Sequence, residues 1–341
     1  KKDPKIKTFE KTTLILIFDA MSGIESYESK VLNGQKFLKT SNKFLKKYNF
    51  NIFNKARSIS SKTQTSFINL TNLTTDIKYS KQHREHRNSL NTGEYYSKTN
   101  NYYQGWKQNK NLLFQKFNQI SVYQGLAIDF CQANNVFKCH TYNPFLQKNF
   151  VDGFKNTMLS RVTSINKING SIIGHLIWRI LLELRIIDSI SMPEGERPAL
   201  LDTLQKVEND IYSKKFDLIF LHALVPHLPF GFTSECKFNG SLGINTSFMS
   251  NEEKTINHNN ERICVINALD NLLSKVKKNN RFKDLEIFIL GDHGSKSGVP
   301  FEISKHDDLT AYLAYRNSAS EYYEDNTKIT IQEFFKQYFN K

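Results

Sequence analysis

The sequence predicts an α/β fold with a mostly parallel central sheet and helices on both of its faces. Short apolar runs at 12–18, 216–221 and 285–290 are typical of buried parallel strands, and helical patterns separate them. In addition, the first and the last of these runs each lead into side chains of types that commonly serve as metal ligands. Parallel strands place their carboxyl ends at one edge of a sheet, so these side chains are expected to meet there.

The remaining elements follow from periodicity and from turn residues. Apolar positions between 252 and 278 recur at near-helical spacing and lead directly into the last apolar run, which indicates a helix-to-strand unit. The predicted elements, in chain order, are a strand at 12–18, a helical face at 32–48, a strand at 50–59, a helix after a turn at 60–62, a helix at 112–117, a strand at 120–123, helices at 151–187 and 198–212, a strand at 216–221, a helix at 252–278, strands at 285–290 and 310–315, and a helix at 330–339.

One domain is predicted to span residues 1–341. The chain is long enough to bury a full core, and it shows no internal repeat. Residues 76–110 change to a polar, tyrosine-rich composition, which predicts an excursion over the surface that could serve as a lid or as a glycan-binding rim.

The formal charge of +14 does not predict nucleic-acid binding, because the cations are spread along the chain and form no basic stripe. Residues 171–187 are apolar but contain four charged or titratable side chains, which favours an amphipathic helix over a membrane span. The chain begins with Lys1 and not with Met, so any signal peptide or membrane anchor is expected in a preceding segment, through which the protein could associate with a membrane surface.

The four cysteines form no CxxC pair, which excludes zinc-finger spacing. Cys131 and Cys139 bracket a short polar stretch that can close as a disulfide loop in an oxidising compartment, although two unrelated thiols fit equally well. Cys264 lies in a helical run and is expected in the core.

Two apolar strands end in candidate metal ligands. The first delivers Asp19, and the last delivers Gly291, Asp292, His293 and Gly294. A single Asp at a strand end is common, and Asp292 could instead be a turn residue that caps backbone groups. Together the three side chains predict one cation site at the sheet edge. A mixed oxygen and nitrogen set suits zinc or manganese better than calcium.

Three further histidines are candidates for substrate contact. His222 ends a strand, and a hydrogen-bonded core histidine is as compatible with that position as a substrate ligand. His227 lies between Pro226 and Pro229, which stiffen the loop and hold the imidazole outward. His306 follows the Asp292 strand in a loop and is expected to complete the pocket.

These residues resemble the alkaline phosphatase and sulfatase superfamily, most closely its sulfatase-like branch with the bacterial phosphoethanolamine and phosphoglycerol transferases. The resemblance covers roughly residues 11–73 and 216–316. It rests on Asp19, the turn Thr63-Gln64-Thr65-Ser66 into a helix, the segment Pro226-His227-Leu228-Pro229, and the run Gly291-Asp292-His293-Gly294.

In that family a Thr, Ser or Cys at a helix start becomes covalently modified, and Thr63 matches this position. Ser60, Ser61 and Thr65 are close enough to be alternatives, and hydroxyls here can also cap the helix. Thr65 stands where a true sulfatase has Pro, and Phe67 stands where it has Arg. Because Thr cannot yield the sulfatase aldehyde, the resemblance argues against sulfate ester hydrolysis by that route.

The resemblance therefore implies a metal-dependent transferase or hydrolase that acts on phosphate esters through a covalent phosphothreonine. One divalent ion, zinc or manganese, would be held by Asp19, Asp292 and His293 with the Thr63 oxygen as a further ligand. His227 would contact the phosphoryl oxygens or protonate the leaving group.

The resemblance also implies that His222 and His306 bind substrate. The implied partners are a phospholipid or other phosphodiester donor and an envelope glycan or lipid acceptor, in a periplasmic or other extracytoplasmic location. Two alternatives stay open. One is a phosphodiesterase that releases the group to water, and the other is a non-catalytic basic interaction protein.

Overall fold

The computed structural model describes residues 8–76, 94–97, 104–107, 111–124, 128–131, 133–141, 199–228, 230–237, 249–295 and 307–340. Several predictions concern residues outside these ranges. They are the helix at 151–187 with its amphipathic part, most of the excursion at 76–110, Pro229, and His306.

Strands and helices alternate along the chain. The strands are β1 (Thr12–Phe18), β2 (Asn51–Phe53), β3 (Glu94–Ser97), β4 (Gln104–Lys107), β5 (Ile120–Gln124), β6 (Ile128–Asp129), β7 (Val136–Thr141), β8 (Leu218–Ala223), β9 (Leu285–Gly291), β10 (Leu313–Arg316) and β11 (Tyr323–Asp325). The helices are α1 (Tyr27–Lys30), α2 (Gly34–Tyr48), α3 (Thr63–Thr71), α4 (Ala199–Ser213), α5 (Asn251–Lys278) and α6 (Ile331–Phe339).

Eight strands form the main sheet in the order β11-β2-β10-β9-β1-β8-β5-β7. Every neighbouring pair is parallel except the two pairs that β10 makes with β9 and β2. The predicted mostly parallel sheet is confirmed. β1 lies between β9 and β8 and is buried along its whole length, which explains why its sequence is apolar from Leu14 to Phe18.

Helices cover both faces of this sheet, as predicted. Because side chains alternate along a strand, β1 sends Leu14 and Leu16 into one apolar cluster and Ile15 and Ile17 into another. The first cluster also contains buried residues of α2, α4 and α5, and the second contains those of α3 and α6. The sheet is therefore the middle layer of a three-layer molecule.

Helix α5, the longest within the described ranges, begins with a capping box. Ser250 Oγ accepts a hydrogen bond from Glu253 N, and the Glu253 carboxylate accepts one from Ser250 N. Buried polar and charged residues interrupt its apolar positions, so α5 does more than cover the sheet. Among the helices of the described ranges, none combines the length and the apolar character that a membrane span needs.

Two predicted elements were wrong in type or length. The strand expected at 50–59 stops at Phe53, because the chain turns at residues 54–55 and Arg57 forms isolated bridges with Thr310 and Thr330 instead. The helix expected at 112–117 is only a 3₁₀ turn at Phe114–Lys116. The outer strands β7 and β11 were not predicted from the sequence, and neither was the separate sheet in which β3, β4 and β6 pair.

All four cysteines form disulfides. Cys131 bonds Cys139, with Cα atoms 5.7 Å apart, so the loop closure is realised and the alternative of two unrelated thiols is wrong. Cys264 is buried in α5 as predicted, but it also bonds Cys236, with Cα atoms 4.9 Å apart. The second bond ties the segment that follows the His227 loop to α5.

Leu16→Ala should destabilise the fold by about 2–5 kcal/mol, because Leu16 is fully buried in the central strand and its loss leaves a cavity. Denaturant unfolding measures the change. Leu201→Ala, at a leucine that is 42% exposed on α4, should stay within about 0.5 kcal/mol of the parent protein. Equal losses in the two variants would contradict the described core.

Candidate metal centre

Asp19 and Asp292 meet because their strands are adjacent, parallel and in register. Phe18 at the end of β1 pairs with Gly291 at the end of β9, and each aspartate is the next residue. Asp19 N donates to Ala223 O at 2.9 Å, and Ala20 N donates to Asp292 Oδ1 at 2.9 Å. The two carboxylates therefore leave the same sheet edge side by side.

The chain leaves β1 through a strained turn. Ala20 has a φ of 59°, in the left-handed region where an L-residue with a Cβ pays a conformational cost of about 1–2 kcal/mol. Gly291 faces this turn so closely that a Cβ atom there would overlap the Met21 carbonyl oxygen. The loop after β1 and the loop after β9 are thus packed against each other through backbone atoms.

His293 presents one ring nitrogen to both carboxylates. Its Nδ1 lies 2.7 Å from Gly294 O, and since a carbonyl only accepts, Nδ1 carries the proton. Its Nε2 lies 3.5 Å from Asp19 Oδ1 and 3.4 Å from Asp292 Oδ2. The hydrogen bond from Nδ1 fixes the tautomer in which Nε2 can offer its lone pair to a metal.

The nucleophile candidate joins the same nitrogen. Thr63 Oγ1 lies 3.2 Å from His293 Nε2. Ligands held about 2.0–2.2 Å from a tetrahedral ion stand roughly 3.3–3.6 Å from each other, which is close to all three distances measured from His293 Nε2. The set of Asp19, Asp292 and His293 also has ligand atoms that all lie within 4.8 Å of one another.

Two buried oxygens in this group have no hydrogen-bond partner. They are Asp19 Oδ1 and Asp292 Oδ2, which are also the oxygens nearest His293 Nε2. Buried carboxylate oxygens without a donor are costly unless a cation neutralises them. By its spacing, its donor atoms and its unpaired oxygens, the site fits one divalent ion.

Burial and the neighbouring Asp19 charge raise the pKa of the Asp292 carboxyl. Deep burial lowers the pKa of His222 to about 4, so this imidazole is neutral at pH 7. His222 therefore brings no positive charge to the two aspartates at pH 7. A bound cation would act in the opposite direction on Asp292 by favouring its ionised form.

Helix α3 presents Thr63 from its first position and is anchored beneath the aspartate. Ser66 Oγ donates to Asp292 O at 2.6 Å, and Gln332 Nε2 of α6 donates to Ser66 Oγ at 2.8 Å. Thr65 is buried, and Ser60 Oγ accepts from Lys62 N at 3.1 Å. Among the four candidate hydroxyls, Thr63 is the one placed beside His293.

A cleft of about 320 Å³ opens above Thr63 and His293. His227 lines it and is exposed, as the proline-flanked segment predicted. Its Nδ1 lies 2.7 Å from Leu228 O, so Nδ1 carries a proton and Nε2 is the nitrogen that can gain or lose the second one.

His222 lies in a different place from the one expected of a substrate ligand. It is fully buried in β8, it does not line the cleft, and its ring packs edge-on against Phe67 at 4.5 Å. Its Nε2 is 4.0 Å from Asp19 Oδ2, on the protein side of the carboxylates. His306 lies outside the described residues.

Comparison with known proteins gives matches at the level of structure. No family description and no curated protein matches the sequence. The lipoteichoic acid synthase LtaP from Listeria monocytogenes matches with a TM-score of 0.53 and 12% identity, over 98% of this chain and 73% of that one. The C-terminal periplasmic domain of phosphoethanolamine transferase EptC from Campylobacter jejuni matches with 0.50 and 13%, over 98% and 90%.

A protein in the alkaline phosphatase superfamily from Vibrio parahaemolyticus also matches, with a TM-score of 0.51 and 10% identity, over 97% of this chain and 68% of that one. The chain has the alkaline phosphatase and sulfatase fold. This confirms, for the fold alone, the resemblance that the motifs indicated. In this alkaline phosphatase and sulfatase fold, the cluster at the ends of β1 and β9 lies at the carboxyl edge, where α/β proteins bind ligands.

Several contacts that shape the site could not be predicted from the sequence. They are the hydrogen bond from Ala20 N to Asp292 Oδ1, the one from Ser66 Oγ to the Asp292 carbonyl, and the one that Ser22 Oγ accepts from Ser295 N at 2.8 Å. These contacts join residues more than 200 positions apart, and no local pattern encodes them. The Ser22 contact carried no motif at all.

Asp292→Asn should weaken metal binding and stabilise the metal-free protein at neutral pH. Because the folded pKa of Asp292 is above the unfolded one, the native state holds more protons between the two values, and stability falls as pH rises through that window. The amide removes this penalty but also removes a ligand charge. We expect metal affinity to fall at least ~100-fold, more than changes behind a ligand usually cost.

Zinc titration and thermal unfolding of the metal-free protein measure the two effects. Asp210→Asn is the matched control, since Asp210 is a buried carboxylate far along the chain that accepts from Ser121 and Tyr123. It should lower stability and leave metal affinity unchanged. A destabilised metal-free Asp292→Asn protein would contradict the electrostatic reading of the site.

Proposed function

We propose that the protein is a metal-dependent phosphotransferase that cleaves a phosphodiester through a covalent phosphothreonine at Thr63. The observation that supports this most strongly is the 3.2 Å contact of Thr63 Oγ1 with His293 Nε2, in the cluster that also holds Asp19 and Asp292. A hydroxyl at the start of a helix, beside a cation site and open to a cleft, is placed for attack on an anionic substrate.

Asp19, Asp292 and His293 would hold one divalent ion, and the Thr63 hydroxyl lies beside it. Zinc or manganese suits this mixed oxygen and nitrogen set. When bound, such an ion lowers the pKa of a neighbouring hydroxyl and screens the charge of a phosphate ester.

The protein's own groups account for the bonds that change. Thr63 Oγ1 attacks phosphorus, and the oxygen–phosphorus bond to the leaving alcohol breaks as the new one forms. The Thr63 proton passes to solvent, and His227 donates a proton to the leaving alkoxide. The exposed position of His227 in the same cleft places it for this role.

Helix α3 supports the phosphoryl group from the other side. An α-helix leaves the N–H groups of its first turn without partners inside the helix, and its N-terminal end carries partial positive charge. α3 starts at Thr63 itself, so these groups face an anion attached to or approaching the hydroxyl. The same helix end would stabilise the phosphothreonine.

The acceptor that takes the group from the phosphothreonine decides the physiological reaction. We propose that the phosphothreonine passes a phospholipid-derived head group to a glycan or lipid hydroxyl of the cell envelope. The support is the shared fold with a lipoteichoic acid synthase and a phosphoethanolamine transferase, together with a threonine in the position of the nucleophile. Transfer to water instead would make the protein a phosphodiesterase.

An extracytoplasmic location fits the cysteines. Cys131 with Cys139 and Cys236 with Cys264 form two disulfides, which persist in oxidising compartments and are rare in the cytosol. We propose a periplasmic or other envelope location, where phospholipid donors and glycan acceptors are both within reach.

Thr63→Ala should abolish turnover of a phosphodiester donor, by roughly a thousandfold or more, because it removes the attacking oxygen. Thr63→Ser should retain part of the activity. Intact mass after incubation with a phospholipid donor should show a head-group phosphate adduct on the parent protein, and adding glycan or only water then separates transfer from hydrolysis.

Thr65→Ala is the matched control for this series, because it removes a buried hydroxyl from the same helical turn. It should leave the adduct intact. An adduct that persists in Thr63→Ala and is lost in Thr65→Ala would show that Thr65, and not Thr63, is the nucleophile.

His227→Gln should slow donors with an alkyl leaving group by ~10²–10⁴-fold, because their alkoxide needs a proton. An aryl phosphodiester, whose phenolate leaves without one, should lose far less. Steady-state kinetics on both donors test this, with Leu228→Ala of the same cleft wall as the control. Equal losses on both donors would show that His227 does not protonate the leaving group.

A further inference from the structure

A fully buried group of ionisable residues lies directly behind the metal centre. Glu28 of α1 and His258 and Arg262 of α5 are each 0% exposed. Burying ionisable groups is costly even when they are paired, and apolar replacements are often as stable or more stable. The group therefore calls for a reason other than stability, and its contacts supply one.

His258 connects this group to the turn that follows Asp19. Its Nε2 lies 3.0 Å from Ala20 O, and because the carbonyl only accepts, Nε2 carries a proton. Its Nδ1 lies 2.7 Å from Glu28 Oε2. The two atoms are not aligned for a hydrogen bond, so the close contact with the Glu28 carboxyl limits the movement of the ring by packing.

The Ala20 residue is thus held from both sides. His258 donates to its carbonyl oxygen, and its N–H donates to Asp292 Oδ1 at 2.9 Å. Ala20 is the left-handed residue with a φ of 59°, a conformation that persists only where the surroundings enforce it. The imidazole is one of the groups that enforce it.

Glu28 reaches the second loop of the site as well. Ser22 Oγ donates to Glu28 Oε2 at 3.0 Å and accepts from Ser295 N at 2.8 Å, two residues beyond His293. The loop that carries Asp19 and the loop that carries Asp292 are therefore tied to the same carboxyl.

Arg262 completes the arrangement one helical turn from His258. Its guanidinium donates to Ser22 O at 2.8 Å and to Ser29 Oγ at 2.9 Å, and it stacks on the Phe37 ring at 3.6 Å. These contacts hold the segment between β1 and α2 on the face of α5. Ser22 lies in the turn after β1 and Ser29 lies in the short helix α1, so Arg262 holds both parts of this segment.

We propose that His258, held by Glu28, is a positioning residue for the metal centre, which fixes the Ala20 turn so that Asp19 and Asp292 meet around one cation. The inference rests on the proposed metal site and adds to it a residue that touches neither metal nor substrate. No motif in the sequence pointed to His258.

Two polar substitutions separate positioning from simple stability. His258→Gln can still bring an amide N–H to the Ala20 carbonyl, whereas the shorter side chain in His258→Asn cannot. We expect His258→Asn to weaken zinc or manganese binding ~10- to 100-fold and His258→Gln to stay within about threefold of the parent protein. Competition with a chromogenic chelator measures the affinities on the full chain without any assay of activity.

Leu269→Ala is the matched control, since Leu269 is fully buried in α5 and contacts the apolar cluster. It should lower the melting temperature of the metal-free protein and leave metal affinity unchanged. The positioning role is refuted if His258→Asn behaves like Leu269→Ala, or if Gln and Asn weaken binding equally. A parent protein that binds no metal would instead refute the metal site itself.

Discussion

Two carboxylates held side by side in a buried place are the constraint around which this molecule is organised. Asp19 and Asp292 follow adjacent strands, and one oxygen of each has no hydrogen-bond donor. Like charges this close resist ionising together, and burial adds to the resistance. The Ala20 N–H reduces that cost by donating to Asp292 Oδ1. A divalent ion shared by the two carboxylates and His293 Nε2 would offset the rest.

The three-layer core gives this edge its rigidity. β1 is covered on one face by α2, α4 and α5 and on the other by α3 and α6, so its end cannot shift without disturbing packing on both sides. Helices from both layers also reach the site. α3 carries Thr63, and α5 carries His258, so the proposed nucleophile and the proposed positioning residue approach the carboxylates from opposite faces of the sheet.

The parts of the site that the sequence could predict lie at the ends of apolar strands. β1, β8 and β9 are predictable because a buried parallel strand is a mainly apolar run, and a polar residue that directly follows such a run is expected at the sheet edge. The strand expected at 50–59 was wrong because pairing partners for residues beyond Phe53 depend on distant segments. Cys236 carried no local sign of its bond to Cys264.

The role of His258 could not be predicted from the sequence for a related reason. His258 falls among polar positions of a long helix and would be read there as a solvated residue, although it is fully buried. Its partner is a backbone carbonyl 238 positions away, and a backbone atom leaves no trace in residue identity. The left-handed conformation of Ala20 could not be predicted from the sequence either, since alanine rarely adopts it.

The close approach of Gly291 to the Met21 carbonyl restricts how such a domain can diverge. Any side chain at position 291 would push apart the loops that carry Asp19 and Asp292. Length changes in either loop are then tolerable only downstream of the point where the backbones touch. New substrate specificities would accordingly arise from segments grafted farther along the chain, while the paired strand ends stay the same size.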